Sequence, residues 1–334
     1  EASSTCFLCM FLPLLLMSTA LLMGPSATQP APSSGRSLPA GTRMSSAATA
    51  SDALVAAREA AAGARPWQTS LTFLEHNAWL MTLGRTTILV DPLLEGPLDF
   101  GLPSAIYSAS KRVLPPSGMV GCLPDVEAIV ITQGLSDHAH VPTLRALASR
   151  GLSCPVIAPP SAAAALEVAG VPASITRLVG HGETVSIGGV AITATKGALV
   201  GPPWQARENG YVFRAVAGRP AFPSVYIEPH AEFDTQELAA LAPVDIVITP
   251  VVGQFLPAFE LVHDGRAALA LCRALRPTAV LPMGNGEINA VGCTTGLVRS
   301  VGTVEGFERM LEESGIGAGL RRAPPGEPVC FNAK

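Results

Sequence analysis

The sharpest change of pattern along the chain lies at residues 126–140, where an apolar run gives way to polar side chains. Ala128, Ile129, Val130, Ile131 and Thr132 are mostly β-branched, uninterrupted and too few for a helix, which predicts a strand covered on both faces. Gly134 breaks the run, and Asp137, His138 and His140 follow where the strand gives way to a loop. Upstream, residues 71–74, 78–83 and 86–90 read as three short strands. They are separated by Glu75-His76-Asn77 and by Gly84-Arg85, a two-residue hairpin turn. Residues 93–124 carry many Gly and Pro and no period, which predicts a long loop, with one helical turn at most, of the kind that borders a site.

Beyond residue 140 the pattern alternates. Helices are expected at 141–150, with Pro142 in the first turn, and at 161–169, with Ser161 as N-cap and Gly170 as its stop. Strands fall at 155–158 and 175–178, then three or four in succession at 183–187, 190–195, 211–216 and 224–228. Helix 234–241, strand 245–249, helix 264–275 capped by Asp264, strand 278–281 and helix 303–314 complete the series. A β-rich start, an alternating middle, a second β-rich block and an alternating end predict an α/β protein with two sheets.

Composition narrows the function classes. With 334 residues, 48% of them hydrophobic, the chain has ample material for a sizeable core. A formal net charge of −4 and only 14% charged residues supply no basic field for nucleic acid, so the expected partner is a small-molecule substrate. The 7 cysteines are odd in number and scattered, which argues against a disulfide framework and for a reducing compartment. The pair Cys6 and Cys9 lies inside an apolar leader at residues 6–24, a signal-peptide core or a single membrane span. From there to Ser51 the chain is rich in Ser, Ala, Pro and Thr, with Arg36 and Arg43 and no acidic residue before Asp52. That composition resembles an organellar transit peptide, and the two segments together suit import into a plastid, with membrane contact only through the leader. A short Ala-rich helix is expected at 52–63. The expected organisation is therefore a leader and transit-like, largely disordered segment at 1–65, one domain at 66–325 and a polar tail at 326–334.

The residues also carry a family resemblance. Leu71-Thr-Phe-Leu-Glu-His-Asn-Ala-Trp-Leu80, followed by Thr87-Ile-Leu-Val-Asp-Pro92, resembles the start of metallo-β-lactamase superfamily hydrolases of the ascorbate-phosphate-lactonase type. Thr132-Gln-Gly-Leu-Ser-Asp-His138 sits where those proteins have Thr-His-x-His-x-Asp-His. Glu183 to Thr195 resembles their paired strands, and Leu281-Pro-Met-Gly-Asn-Gly286 the strand end that bears a final histidine. The Gln-Gly-Leu-x-Asp-His-Ala-His and Glu-Pro-His segments are similar to those of a cyanobacterial and plant branch. The resemblance implies the αββα sandwich, with a metal site along one edge.

The resemblance transfers the metal ligands in part. The first two motif histidines are Gln133 and Leu135, whereas Asp137 and His138 match; the final histidine falls on Gly284, and Glu228-Pro229-His230 replaces the bridging aspartate. The implied metal set is thus Asp137 and His138, with His230 or Glu228 to complete it. It would hold one divalent metal, zinc foremost, or none. Three protein ligands and an open water position suffice for a catalytic zinc. Gln133, His140 and His76 are the further catalytic candidates: an amide to orient water or substrate, a base, and a histidine lining the same edge. Each also has a structural reading as a buried, hydrogen-bonded group, and Asp91 is expected to bond backbone amides after its strand or to contact the site. Two functions remain open. One is a hydrolase-like protein with at most one metal, cleaving an ester, lactone or phosphoester; the other is a non-catalytic module of the same fold that binds a metabolite or an organellar partner.

Overall fold

Strands with no polar alternation need cover on both faces, and the computed structural model supplies it by packing two seven-stranded sheets against each other. It describes residues 65–199, 206–257 and 259–333, together with 52, 55, 56, 59, 62 and 63, all six of which are helical. The apolar leader, the transit-like stretch and the Cys6–Cys9 pair lie outside the described residues, and no helix among those described is long and apolar enough to cross a membrane.

The first sheet orders its strands Pro328–Asn332, Gln68–Phe73, Trp79–Leu83, Thr86–Val90, Ala128–Val130, Val156–Ala158 and Thr176–Leu178. The second runs Gly319–Leu320, Ala279–Pro282, Ile246–Thr249, Val225–Ile227, Asn209–Ala215, Val190–Lys196 and Thr184–Ile187. Each sheet is antiparallel at one side and parallel at the other. The shared core sits between them, built from Trp79, Met81, Ile88 and Val130 of one and Ile192, Phe213, Ile227 and Ile248 of the other.

Helices cover the two outer faces, which makes the architecture αββα. Val141–Ser149 and Ala163–Ala169 bury Leu144 and Leu166 against the first sheet. Thr235–Leu241, Gly265–Leu275 and Val304–Glu313 cover the second through Leu238, Leu271 and Phe307. Their starts follow the sequence. Asp234 accepts from Gln236 N and Glu237 N, Asp264 from Arg266 N, and Thr303 from Gly306 N, each satisfying an amide the helix leaves free.

Several expectations need correction. The segment expected as a polar tail contains Pro328–Asn332, an edge strand antiparallel to Gln68–Phe73, because Phe331 packs against the shared core. Ser161 is not an N-cap: a 3-10 turn at Pro160–Ala162 precedes the helix, and the Ser161 hydroxyl donates to Glu208 Oε2 at 2.5 Å. Within the long loop, Ser108–Ser110 pairs with Asn289–Val291, and a small sheet of Gly253–Leu256, Phe259–Val262 and Arg299–Val301 was not read from the sequence.

Candidate functional site

The carboxyl ends of the parallel strands meet along one edge of the sandwich, where the chain leaves each strand with its polar groups still to be satisfied. Asp91 follows Thr86–Val90, Thr132 and Gln133 follow Ala128–Val130, and Glu228 follows Val225–Ile227. Asn209 N donates to Thr132 O at 3.0 Å, so backbone from the two sheets is joined at this point.

Asp91 organises the first half of the site. Its fully buried carboxylate accepts from Thr132 N at 2.7 Å and Thr132 Oγ1 at 2.5 Å, and His138 Nδ1 lies 2.8 Å from Oδ2. The other ring nitrogen, His138 Nε2, is 3.2 Å from Asp137 Oδ2. Asn77 Nδ2 donates to Asp137 Oδ2 and to Asp137 O, both at 3.3 Å. His138 is therefore clamped between two carboxylates. Burial favours its neutral form, but the charges of Asp137 and Asp91 outweigh burial and raise it to about 10. Burial likewise opposes the ionised Asp137, yet the His138 charge and hydrogen bond win and lower it to about 2.

These shifts make a pH prediction for protein stripped of metal by a chelator. A histidine raised on folding stabilises fully below its unfolded value of 6.5, and that contribution is lost as pH climbs from 6.5 toward about 10. The Asp137 contribution is present above 3.8 and is lost as pH falls toward about 2. Ring nitrogen chemical shifts are expected to show His138 doubly protonated at pH 8. Deprotonation between pH 6 and 7 would contradict the clamp.

The second half of the site comes from the other sheet. His230 lies beside His138, ring centroids 5.6 Å apart, and Gln133 Nε2 donates to His230 Nδ1 at 2.7 Å. Glu228 Oε2 accepts from His230 N and Glu232 N, while Oε1 is 3.7 Å from His230 Nδ1. Asn285 Nδ2 donates to Pro229 O at 3.1 Å and holds the Glu-Pro-His turn from beyond the end of Ala279–Pro282, two strands away in the same sheet.

The structure thus brings Asp137, His138, Gln133, Glu228 and His230 together. His140 is turned away from them. Residues 135–139 form a turn in which His138 N and Ala139 N donate to Leu135 O, and the turn carries His140 to the N-cap position of Val141–Ser149. Its Nδ1 lies 2.9 Å from Thr143 Oγ1 and its Nε2 3.3 Å from Pro97 O, so both nitrogens are engaged. His76 is buried near the edge with Nε2 unpartnered. Sequence reading left Asp91 with two roles and did not single out Asn77; the Asp-Pro closing a strand and the Glu-His-Asn turn were the available signals.

Backbone strain concentrates here. Among the described non-glycine residues with positive φ are Glu75 at 67°, His76 at 54°, Asp91 at 42° and Ala231 at 55°, all on this edge. Gly134 answers a different demand: a Cβ there would collide with the Ser161 carbonyl and sit 2.9 Å from Ala162 N. Gly134→Ala is expected to destabilise the protein by about 1–3 kcal/mol by overpacking alone. A shift in urea midpoint at unchanged slope would report it, and a neutral substitution would show that the Ser161 turn gives way.

For a metal, the donors fit in kind and for one ion. Asp137 Oδ1, Glu228 Oε1 and Gln133 Oε1 are buried acceptors without a partner, as an ion or water would leave them when removed. Asp91 on His138 Nδ1 is the carboxylate–histidine pairing that orients an imidazole for a metal on Nε2. Rotating the Gln133 amide would present its oxygen to His230 Nδ1 and free the other ring nitrogen as an acceptor. As the side chains stand, no three His, Cys, Asp or Glu among the described residues are gathered in ligand geometry. Leu135 and Gly284 supply no donor for a second ion.

Comparison with known proteins agrees with this architecture. Residues 70–284, more than half of the chain, match the Beta-lactamase superfamily domain. A UPF0173 metal-dependent hydrolase of Anaeromyxobacter dehalogenans is 26% identical over 276 residues, covering 79% of this chain and 87% of that protein. Among solved structures, an isothiocyanate hydrolase from Delia radicum gut bacteria is 16% identical with a TM-score of 0.56, covering 79% of this chain and 100% of its own. A novel metallo hydrolase from the archaeon Ignicoccus hospitalis is 19% identical with a TM-score of 0.55, covering 80% of this chain and 100% of its own. A diiron beta-hydroxylase from Streptomyces venezuelae, 18% identical with a TM-score of 0.51, spans 80% of this chain and 55% of its own. One fold therefore serves different chemistries, and the site must carry the functional argument.

Proposed function

The chain belongs to the Beta-lactamase superfamily domain family, and from that premise we propose that it is a hydrolase-like protein holding a single divalent metal, zinc foremost, for cleavage of an ester, lactone or phosphoester in a small substrate. We place it in the branch that resembles the ascorbate-phosphate lactonases, with the usual two-metal motif reduced to one site. The observation that carries this reading is the His138 clamp: Asp91 fixes one ring nitrogen and Asp137 stands at the other, as a metal-binding pair requires. Asp137 and His138 would hold the ion, with Glu228 Oε1 or His230 as the third donor. A bound divalent ion supplies a water of lowered pKa and polarises an ester oxygen. The protein's own groups do the rest. Asn77 steadies Asp137, Gln133 sets the His230 ring, and Glu228 fixes the turn that carries His230.

Elemental analysis of carefully purified protein tests the reading. About one equivalent of a transition metal, taken up again after chelation when zinc or manganese is added, is the expected outcome. Less than about one tenth of an equivalent, with no uptake on addition, would count decisively against it.

Burial favours a second reading. His138, Gln133 and Glu228 are fully covered and Gln133 already satisfies His230, as expected of a non-catalytic module that has closed an ancestral cleft. Metal-dependent turnover that disappears in His138→Ala would exclude it.

A further inference from the structure

A second group of buried polar side chains, centred on Lys111 and His76, lies beside the Asp137–His138 pair and is joined to it through Asn77. Lys111 follows Ser108–Ser110, and its buried ammonium donates to Leu74 O, its one hydrogen-bond acceptor among the described residues. An ammonium carries three donors, so most of its bonding capacity is left over at a buried position, where unmet donors are costly. His76, two residues beyond Leu74, is buried with Nε2 unpartnered. The next residue, Asn77, reaches the site through Asp137. Tyr107, on the same long loop as Lys111, lies in the field of Asp137.

The backbone is built to keep these groups together. Glu75 and His76 are both left-handed, at φ 67° and 54°, an unfavourable conformation for two successive residues with side chains. The Glu75 carboxylate ties the turn down by accepting from Arg112 N at 2.7 Å, Val113 N at 3.1 Å and Leu114 N at 2.6 Å. The stretch carrying Lys111 is thereby fixed against the stretch carrying His76. Glu75 spends its oxygens on amides and makes no hydrogen bond to the ammonium, although its charge partly offsets burial there. Asn289 Nδ2 donates to Lys111 O at 3.2 Å from a third segment. Burial, followed by the charge of Lys111, lowers His76 to about 3, and burial lowers Lys111 to about 8. At neutral pH the pair is a neutral imidazole beside an ammonium with donors to spare.

We propose that Lys111 and His76 form a subsite for an oxyanion of the substrate, a carboxylate or a phosphate, next to the Asp137–His138 pair. This rests on the hydrolase reading only for the existence of a substrate, and it narrows that substrate to an anionic ester or lactone. The ammonium supplies the charge, and His76 supplies a hydrogen bond in the tautomer with the proton on Nε2.

The test titrates the chelator-stripped full-length chain with inorganic phosphate and, separately, with acetate at matched ionic strength, by calorimetry and by the ring nitrogen shifts of His76. Saturable binding of at least one anion is expected, with a shift at His76 Nε2 and at least a tenfold weakening in Lys111→Met. Zinc uptake by Lys111→Met should stay within twofold of wild type. Phosphate alone would assign a phosphate-bearing substrate and acetate alone a carboxylate-bearing one. The proposal is overturned if neither anion moves the His76 resonances of the wild-type chain, a reading that needs no variant, or if Lys111→Met binds as wild type does. Anion binding without zinc uptake would sink the metal reading and leave this one standing; zinc uptake without anion binding would do the reverse.

Discussion

Asp91→Ala is expected to destabilise the folded protein by about 3–5 kcal/mol, the range for removing one partner of a buried, hydrogen-bonded charge pair. The carboxylate is fully buried and serves Thr132 N, Thr132 Oγ1 and His138 Nδ1 at once. Its loss leaves an amide, a hydroxyl and an imidazole without that acceptor where water cannot replace it. Urea denaturation should show the midpoint falling at unchanged slope. Asp91→Asn keeps the shape and one acceptor, so it should fall between wild type and Asp91→Ala. A loss below about 1 kcal/mol for Asp91→Ala would mean that His138 finds another partner and that the clamp is not the keystone of this edge.

Asp137→Asn should separate function from folding. Asp137 is 23% exposed at its side chain, against a fully buried Asp91, and an asparagine can still accept from Asn77. Losing the charge-assisted bond to His138 is expected to cost about 1.5–3 kcal/mol. Divalent metal affinity should fall at least about 100-fold, the upper end of what loss of an outer-shell partner does, since Asp137 is a direct donor. Thermal unfolding and a zinc titration on the same sample read both effects. Unchanged zinc affinity would remove Asp137 from the ligand set and with it the reading of this edge as a metal site.

The two variants also mark what the sequence revealed. The apolar runs at 86–90 and 128–132 announced buried strands, and the Asp-His pair after the second was visible because ligand-type side chains rarely end such a run by chance. The resemblance then supplied the sandwich, which periodicity alone left as two sheets. Asp91 was harder to place because its partner His138 is 47 residues away, and only the parallel pairing of Ile88–Val90 with Ala128–Val130 brings them together. His140 follows His138 closely in the loop after the strand, but the turn at 135–139 carries it to a helix start, where Thr143 and Pro97 engage its ring. Pro328–Asn332 was illegible for a related reason, since a short strand near a chain end gains its stability from the edge it joins. Lys111 drew no notice because its burial depends on Leu74 and on the Glu75 carboxylate, contacts that close only in three dimensions.

The most direct test of the central claim is a calorimetric titration of the chelator-stripped protein with zinc, repeated with manganese. Asp137, His138 and a donor from Glu228 or His230 predict saturation at one equivalent, abolished in His138→Ala. Saturation at two equivalents, or no heat of binding with either metal, would contradict the single-metal account.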